Sequence, residues 1–292
     1  MTMTPPDFAR GQRPRALGYK PDLFDERDLP AGHVLGAAVR QELVVPASMM
    51  KYRSSAILQG GASSCVAHAL CRSIDMCLRY ELEKADKAHV EPPPPSRGFI
   101  YFNARRQEAV EANKRGEPPP PMIDGGSFPR LAMRAVQRLG YCPERVYPYS
   151  DDTKTINDAP PASAYHAAFD QTGFRYYRVL SSGRARVAEV AHALALGRPV
   201  FFGLTVDSAF MGWDGDTPIN AVDVHDPEAG GHMLCVLEVT ADRVVADNWW
   251  GEDWGAKGLA HLSHHLFGSD VITDVYVIET APTFSSAKEE AA

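Results

Sequence analysis

Apolar residues recur at helical spacing in a stretch of the chain that begins near residue 64. They follow one another at four-residue steps, as Val66, Leu70, Ile74 and Leu78. This period places them on one face of a helix, which we predict over residues 64–84. Ser63 or Ser64 is the expected N-cap, so Cys65 falls in the first helical turn.

Further helices and strands follow from changes in the apolar period along the chain. Helices are predicted over residues 127–139 and 185–196, each ended by a glycine, while residues 99–113 fit either a strand or a helix. After Gly197 the period becomes two, with many β-branched and aromatic residues. This alternation predicts strands at residues 199–206, 232–239, 244–248 and 271–279.

The order of these elements divides the chain into three parts. Residues 1–43, rich in proline and polar side chains, are expected to form an N-terminal extension. Residues 44–280 form the expected folded domain, mainly helical over 44–150 and mainly antiparallel β over 151–280. This predicts an α+β fold with two subdomains and a cleft between them. Residues 281–292 are expected to be a flexible tail.

Composition and charge exclude several classes of protein. The net charge is −7, and no Lys/Arg-rich patch interleaved with aromatic residues is present, so nucleic acid is not an expected partner. No apolar run approaches the roughly 18–20 residues of a membrane span. No apolar signal-peptide centre lies near the N-terminus. We therefore expect a cytoplasmic monomer that does not bind membranes, with export by a leaderless route as the alternative.

The cysteine and histidine content gives no sign of a metal site. Five cysteines, an odd number, argue against a disulfide framework and favour a reducing compartment. No Cys-x-x-Cys pair occurs, which argues against a thiolate zinc site. The cluster of His261, His264 and His265 lacks a supporting carboxylate or cysteine pattern, and we interpret it as solvated surface. No metal or cofactor is expected.

Cys65 is the first residue with candidate chemistry, because it lies at the start of a helix. The positive end of the helix dipole stabilises a thiolate, and reactive thiols of this kind have pKa values of roughly 3.5–7.5. The alternative is a small buried apolar residue, as most cysteines are. Cys71 and Cys77 lie within the same helix, and for them the buried interpretation is the better one.

The second half of the chain contains the other groups that a thiol nucleophile needs. His232 follows two glycines and opens an apolar strand, which is typical of a base at a cleft edge, although a structural strand-end histidine has the same pattern. Asn248 ends the next strand, where its amide can accept a hydrogen bond from the imidazole. Trp250 is large enough to cover that bond and exclude water.

Gln59 lies six residues before Cys65. Its side-chain N–H can point at an oxygen that becomes negative in a transition state, with the backbone N–H of Cys65 as a second donor. Each of these residues alone is a weak signal. Together, and in this order, they indicate a thiol nucleophile with an oxyanion donor, a base and an orienting amide.

Three motifs around these residues resemble the papain and cathepsin family of cysteine peptidases. They are Gln59-Gly-Gly-Ala-Ser-Ser-Cys65-Val-Ala, Gly231-His232-Met-Leu, and Asn248-Trp-Trp-Gly-Glu-Asp-Trp-Gly-Ala-Lys-Gly258. A Gly125-Gly126 pair before a helix also fits the family, and the polar element at residues 21–28 is similar to one in bacterial members. The resemblance covers roughly residues 44–280.

The resemblance implies both a fold and an activity. The fold is papain-like, with a helical left subdomain that contains a long central helix, an antiparallel β-barrel-like right subdomain, and the active-site cleft between them. The activity is that of a thiol protease, a hydrolase that cleaves peptide bonds in peptides or proteins through a thioester. The resemblance implies these roles: nucleophile Cys65, base His232, orienter Asn248, oxyanion donor Gln59 and supporting Trp250.

The resemblance also implies where the substrate lies. Gly125, Gly126 and Gly231 are expected along the substrate, with Gly126 pairing to its backbone. The pocket for the substrate's second residue is expected near Gly126, near Leu131 or its neighbours, and at the strands after Gly197. Substrate preference does not follow from the sequence.

The chain departs from the family pattern at several positions. The two positions of the family's disulfide are occupied by Ala62 and Ile123, and the tryptophan after the nucleophile is replaced by Val66. We expect no counterpart of the family's long helical pro-segment within residues 1–43. Our hypothesis is that the stretch Pro21 to Pro30 lies in or near the cleft and restrains activity.

Two other functions fit the same motifs. One is a catalytically silent binding or regulatory protein on the same scaffold. The other is an acyltransferase that passes the acyl group to an amine acceptor at the same thiol site.

Overall fold

The structure is a computed structural model that describes residues 15–36, 43–169, 171 and 173–280. The predicted flexible tail at residues 281–292 and part of the predicted extension lie outside these residues. Within the described ranges, no helix is long and apolar enough to cross a membrane.

Eight α-helices lie in the described part of the chain, and the longest forms the centre of the fold. Helix α2, Cys65–Lys84, begins one residue after the predicted start and is buried along most of its length. The other helices are α1 Gly32–Leu35, α3 Arg97–Lys114, α4 Pro129–Leu139, α5 Ala162–Ala168, α6 Gly183–Ala195, α7 Ser208–Met211 and α8 His264–Gly268.

The described strands form one antiparallel sheet of seven strands. They are β1 Ala47–Ser48, β2 Phe174–Arg178, β3 Val200–Val206, β4 Gly230–Val239, β5 Arg243–Asp247, β6 Leu259–Ser263 and β7 Ile272–Thr280. The order across the sheet is β2-β7-β3-β4-β5-β6, and β1 pairs with β4. The predicted α+β class is confirmed, with a sheet that is open rather than closed into a barrel.

Elements with a strong apolar period match their predictions, and edge elements do not. The ambiguous stretch at 99–113 is helix α3, whose N-cap Ser96 accepts a hydrogen bond from the N–H of Phe99 at 3.1 Å. Strands β2 and β6 were not predicted. Both lie at the edges of the sheet, where alternate side chains face water and no long apolar run is needed.

A buried ionic cluster joins α2 to the end of β5. The carboxylate of Asp247 lies 2.7 Å from Nε of Arg72 on α2 and 2.9 Å from a guanidinium nitrogen of Arg53. Arg72 also donates to the carbonyl of Ser55 at 2.8 Å and to the hydroxyl of Ser54. Both Arg72 and Asp247 are almost completely buried, so each charge depends on the other.

Arg72→Ala should lower the free energy of unfolding by about 3–5 kcal/mol, because it leaves the buried Asp247 carboxylate with Arg53 alone as its ion-pair partner. The measurement is a urea unfolding curve followed by circular dichroism. Arg243→Ala is the matched control, since its pair with Asp242 lies at the surface and should matter far less. Equal losses for the two variants would contradict the importance of the buried cluster.

Candidate active site

The thiol of Cys65 lies at the first residue of α2, fully buried against strand β4. The preceding N-cap, Ser64, uses its hydroxyl for Tyr149 at 2.7 Å and His68 at 3.2 Å instead of capping the helix. Helix α2 packs against β4, the strand that contains His232. The helix that carries the thiol therefore lies against the strand that carries the predicted base.

One ring nitrogen of His232 is hydrogen-bonded to a side chain, and the other is not. Nε2 lies 2.8 Å from Oδ1 of Asn248. The same Oδ1 accepts the backbone N–H of Trp249 at 2.8 Å, which identifies it as the acceptor and places the proton on Nε2. Nδ1 is buried and has no hydrogen-bond partner among the described residues, so its lone pair is available to a thiol.

Trp250 covers the pair formed by His232 and Asn248. Its ring stacks on the imidazole with centroids 4.6 Å apart and planes 23° apart. Both His232 and Asn248 are almost completely buried. Exclusion of water strengthens the hydrogen bond between them.

Gln59 is held in place from several sides. Its backbone N–H donates to the Trp249 carbonyl at 2.9 Å, and its own carbonyl accepts the Tyr149 hydroxyl at 2.7 Å. The side-chain Nε2 donates to the carbonyl of Ala62 at 2.7 Å and to that of Ala16 at 3.1 Å. A preorganised amide donor therefore faces a peptide carbonyl from the N-terminal extension.

A carboxylate stands where the resembling family has its disulfide. Asp124, next to Ile123, accepts the backbone N–H of Ser63, next to Ala62, at 2.9 Å. It also accepts the hydroxyl of Tyr101. These hydrogen bonds join the same two loops without a covalent link, and all five cysteines are free and buried.

Residues 15–20 of the extension lie along the cleft. The Ala16 carbonyl accepts hydrogen bonds from Gln59 and, at 3.2 Å, from Nε1 of Trp250. The N–H groups of Gly18 and Tyr19 both donate to the carbonyl of Gly231, at 3.1 and 3.2 Å. The backbone of the extension thus occupies the surface between the two halves.

The three glycines predicted along the substrate differ in their contacts with this stretch. A Cβ on Gly126 would lie 2.2 Å from the Gly18 carbonyl oxygen, and one on Gly231 would lie 2.3 Å from that of Tyr19, so both permit close approach. A Cβ on Gly125 would contact only Ile123. On this side of the cleft, the backbone of the next residue, Ser127, pairs with the extension. Its N–H donates to the Gly18 carbonyl at 2.9 Å, and its carbonyl accepts the N–H of Lys20 at 3.1 Å.

Residues 22–31, immediately after the cleft, are anchored by charges. Asp28 accepts two hydrogen bonds from Arg130 on α4, at 3.0 and 2.5 Å, and one from Arg178 on β2 at 3.2 Å. Asp22 accepts the Arg130 N–H and the Tyr276 hydroxyl, both at 2.9 Å. The stretch that we expected in or near the cleft is held beside it by these contacts, and residues 15–20 are the part that lies over the site.

Burial disfavours charge on both members of the candidate thiol–imidazole pair. It raises the pKa of the Cys65 thiol to about 12 and, against the hydrogen bond to Asn248, lowers the pKa of His232 to about 4. The sequence pattern predicted a lowered thiol pKa. In the covered site, the loss of hydration raises the thiol pKa by more than the helix dipole lowers it. Both groups are therefore neutral near pH 7.

Several residues in and around the cleft were not found from the sequence. They are Ser127, Asp124, Tyr19, Arg130 and Arg178. Asp124 had a signal, because it directly follows the position of a missing cysteine and a lost crosslink needs a replacement. Tyr19 and Ser127 had no signal in the sequence, because they are brought together only by the fold of the chain.

The known proteins that are similar to this chain share one type of fold. No family model matches the chain. A peptidase C1-like protein of Acanthamoeba polyphaga mimivirus is 26% identical over 234 residues, which cover 77% of this chain and 70% of that protein.

Solved structures are similar over most of the chain. Xylellain, a cysteine protease from Xylella fastidiosa, is 25% identical with a TM-score of 0.69, covering 94% of this chain and 100% of that one. Procathepsin B of Trypanosoma congolense, 14% identical, has a TM-score of 0.60 over 91% of this chain and 86% of that one. Bromelain of Ananas comosus, 15% identical, has a TM-score of 0.55 over 82% and 100%. The last two show the shared fold.

Alkylation of Cys65 by iodoacetamide should be slow at pH 7 in the intact chain and should accelerate about tenfold per pH unit up to pH 9. The reason is that the thiolate is the reactive form and the raised pKa keeps its fraction small at these values. Mass spectrometry of the peptide that contains Cys65 measures the rate, with Cys65→Ser as the unlabelled control. Fast labelling that does not change between pH 6 and 8 would contradict the buried neutral thiol.

Proposed function

We propose that this chain, a cysteine peptidase with the papain-like fold, hydrolyses peptide bonds through a thioester on Cys65 and is restrained by its own N-terminal extension. Its substrates are peptides or proteins. The roles proposed for the site residues are nucleophile for Cys65, base for His232, orienter for Asn248 and oxyanion donor for Gln59.

One observation carries the proposal: a peptide carbonyl, that of Ala16, already accepts hydrogen bonds from the Gln59 amide and from Trp250. A site that binds a backbone carbonyl in this way has the donors that a substrate carbonyl needs. Of these two donors, the Gln59 amide is the one that we propose stabilises the oxygen when it becomes negative.

The proposed first step follows from the protonation of the imidazole. With Nε2–H donated to Asn248, Nδ1 of His232 can take the proton of the Cys65 thiol. The sulfur attacks the carbonyl carbon, and the carbonyl oxygen receives hydrogen bonds from Nε2 of Gln59 and the Cys65 backbone N–H. Return of the proton from Nδ1 to the leaving nitrogen releases an amine and leaves a thioester.

The second step repeats this sequence with water. His232 removes a proton from a water molecule, which attacks the thioester carbon, and the thiol leaves with that proton. Trp250 keeps bulk water away from the bond between His232 and Asn248 throughout. The imidazole therefore keeps one orientation while its protonation changes.

The proposed restraint has two parts. Residues 15–20 occupy the cleft by backbone hydrogen bonds to Gly231 and Ser127, so a substrate must displace them. Asp22 and Asp28 anchor the following residues to α4, β2 and β7. This revises our sequence hypothesis: Pro21 to Pro30 would act as the anchor, and the residues before it as the plug.

The two alternative functions predict different results with the same protein. A silent scaffold has no need of a base, so in the Tyr19→Ala background, where the cleft is open, His232→Ala would leave the alkylation rate of Cys65 unchanged. An acyltransferase would form amide products when amines are added to a peptide substrate, and mass spectrometry would detect them. The peptidase instead gives free carboxylates and loses all turnover in Cys65→Ala.

Tyr19→Ala should raise kcat/KM for a small fluorogenic peptide by tenfold or more, because it removes the buried anchor of the plug. The apparent activity scales with the fraction of molecules whose cleft is open. Phe24→Ala is the matched control, since this aromatic residue of the same extension is 77% exposed. Unchanged turnover in a folded Tyr19→Ala protein would exclude the restraint.

Gln59→Ala in the Tyr19→Ala background should lower kcat by about 10²–10³-fold, the usual loss for one oxyanion donor. Steady-state hydrolysis of the same peptide measures it. Gln137→Ala, an exposed glutamine on α4, is the matched control. A loss of less than about threefold for Gln59→Ala would remove this residue from the proposed oxyanion site.

A further inference from the structure

The side chain of Tyr19 fills a buried pocket beside the cleft. A Cβ on Gly203 of β3 would lie 2.2 Å from the Cζ atom of the Tyr19 ring, so the pocket exists because this residue has no side chain. A Cβ on Gly231 would lie 3.1 Å from Cδ1 of the same ring. Tyr19 is only 6% exposed, which means that the pocket encloses the whole ring.

The end of the pocket is polar. The Tyr19 hydroxyl donates to Oδ2 of Asp274 at 2.6 Å and lies 2.6 Å from Oγ1 of Thr273. The same Oδ2 accepts the backbone N–H of Asp22 at 2.6 Å. Both donors to this oxygen belong to the extension, so displacement of the extension leaves a buried carboxylate oxygen without them.

A local irregularity of the sheet brings Asp274 to this place. The pairing of β3 with β7 shifts between Phe201 and Gly203, and Asp274 lies in the shifted stretch with a φ of 47°. A bulge re-aims the side chain at its position, and a positive φ at a residue other than glycine is strained. Such strain persists where the surroundings fix it, here through Arg178, which donates to Oδ1 of Asp274 at 2.5 Å.

We propose that this pocket receives a substrate side chain once the extension has left, and that Asp274 and Thr273 make it selective for tyrosine. This rests on the proposed peptidase function. The position of the pocket at β3, next to Gly231, is where we expect the second residue before the scissile bond. Tyr19 then occupies the site of the side chain that the pocket is built to bind.

The contacts of Asp274 favour a phenol over other side chains. Arg178 already balances the charge of the carboxylate, so a lysine or arginine would bring an uncompensated positive charge into a buried site. Phenylalanine fits the ring space but leaves Oδ2 without a donor. A site that hydrogen-bonds a substrate hydroxyl discriminates strongly against the analogue that lacks it, because its own polar group is then unpaired.

The test is competition between matched peptides that differ only at the second residue before the scissile bond, with Tyr, Phe, Leu or Lys. The full-length Tyr19→Ala protein is used because its pocket is open. We expect kcat/KM for Tyr to exceed that for Phe by about tenfold to a hundredfold, and that for Lys by at least as much. The ratio does not depend on the fraction of open molecules, which multiplies both rates equally.

Two variants assign the effect to the pocket. Thr273→Val keeps the shape and removes one hydroxyl, and it should lower the Tyr-to-Phe ratio severalfold. Gly203→Ala places a methyl group where the ring lies and should shift the preference from Tyr to Leu. A Tyr-to-Phe ratio below about tenfold, or a preference for Lys, overturns the proposal.

Binding separates this proposal from the peptidase function. The same peptides are titrated into the double variant Cys65→Ala, Tyr19→Ala by calorimetry. Tighter binding of the Tyr peptide by tenfold or more supports the pocket assignment even if no peptide is hydrolysed by the intact thiol. Hydrolysis of all peptides without discrimination supports the peptidase function and overturns the tyrosine pocket. Equal binding of the Tyr and Phe peptides, or no binding of either, also overturns the tyrosine pocket.

Discussion

The carboxylate of Asp247 fixes the distance between the two halves of the site. Arg72 reaches it from α2, the helix that begins at Cys65, and Asp247 directly precedes Asn248. The nucleophile and the amide that orients the base are thereby attached to one buried ionic cluster. Removing a partner from such a cluster leaves an uncompensated charge, so the two halves cannot shift without a large cost. The position of Cys65 relative to the hydrogen-bonded pair of His232 and Asn248 depends on this placement.

In our proposal, the extension acts on the site by desolvation as well as by obstruction. Its backbone covers the cleft, and burial moves the pKa of Cys65 up and that of His232 down. Both shifts disfavour the thiolate–imidazolium pair, which is the reactive form of such a site. Displacement of residues 15–20 would therefore return water and reactivity together. The contacts of Asp22 and Asp28 with Arg130 lie outside the cleft, so in our proposal they hold the extension over a site that they do not touch.

The sequence predicted those parts of the molecule that depend on local pattern. Helix α2 follows from its apolar period, and the motifs pointed to His232 and Asn248, which are joined by a hydrogen bond in the structure. The strained turn at Asp274 had no such signal, because a bulge depends on the register of two strands far apart in the chain. The path of the extension was placed only approximately, since its proline content predicts an extended chain but not which residues contact the cleft. The replacement of the disulfide by Asp124 needed the two loops in space.

Gly203 links two properties of the protein that are usually free to vary separately. The same absent side chain admits Tyr19 of the extension and, in our proposal, the side chain of a substrate. A mutation that changes the shape of the pocket would then alter both the selectivity for substrates and the restraint by the extension. Among descendants of this chain, residues 19, 203 and 273–274 should change together. Each new preference for a substrate side chain would then be accompanied by a matching change in the extension at residue 19.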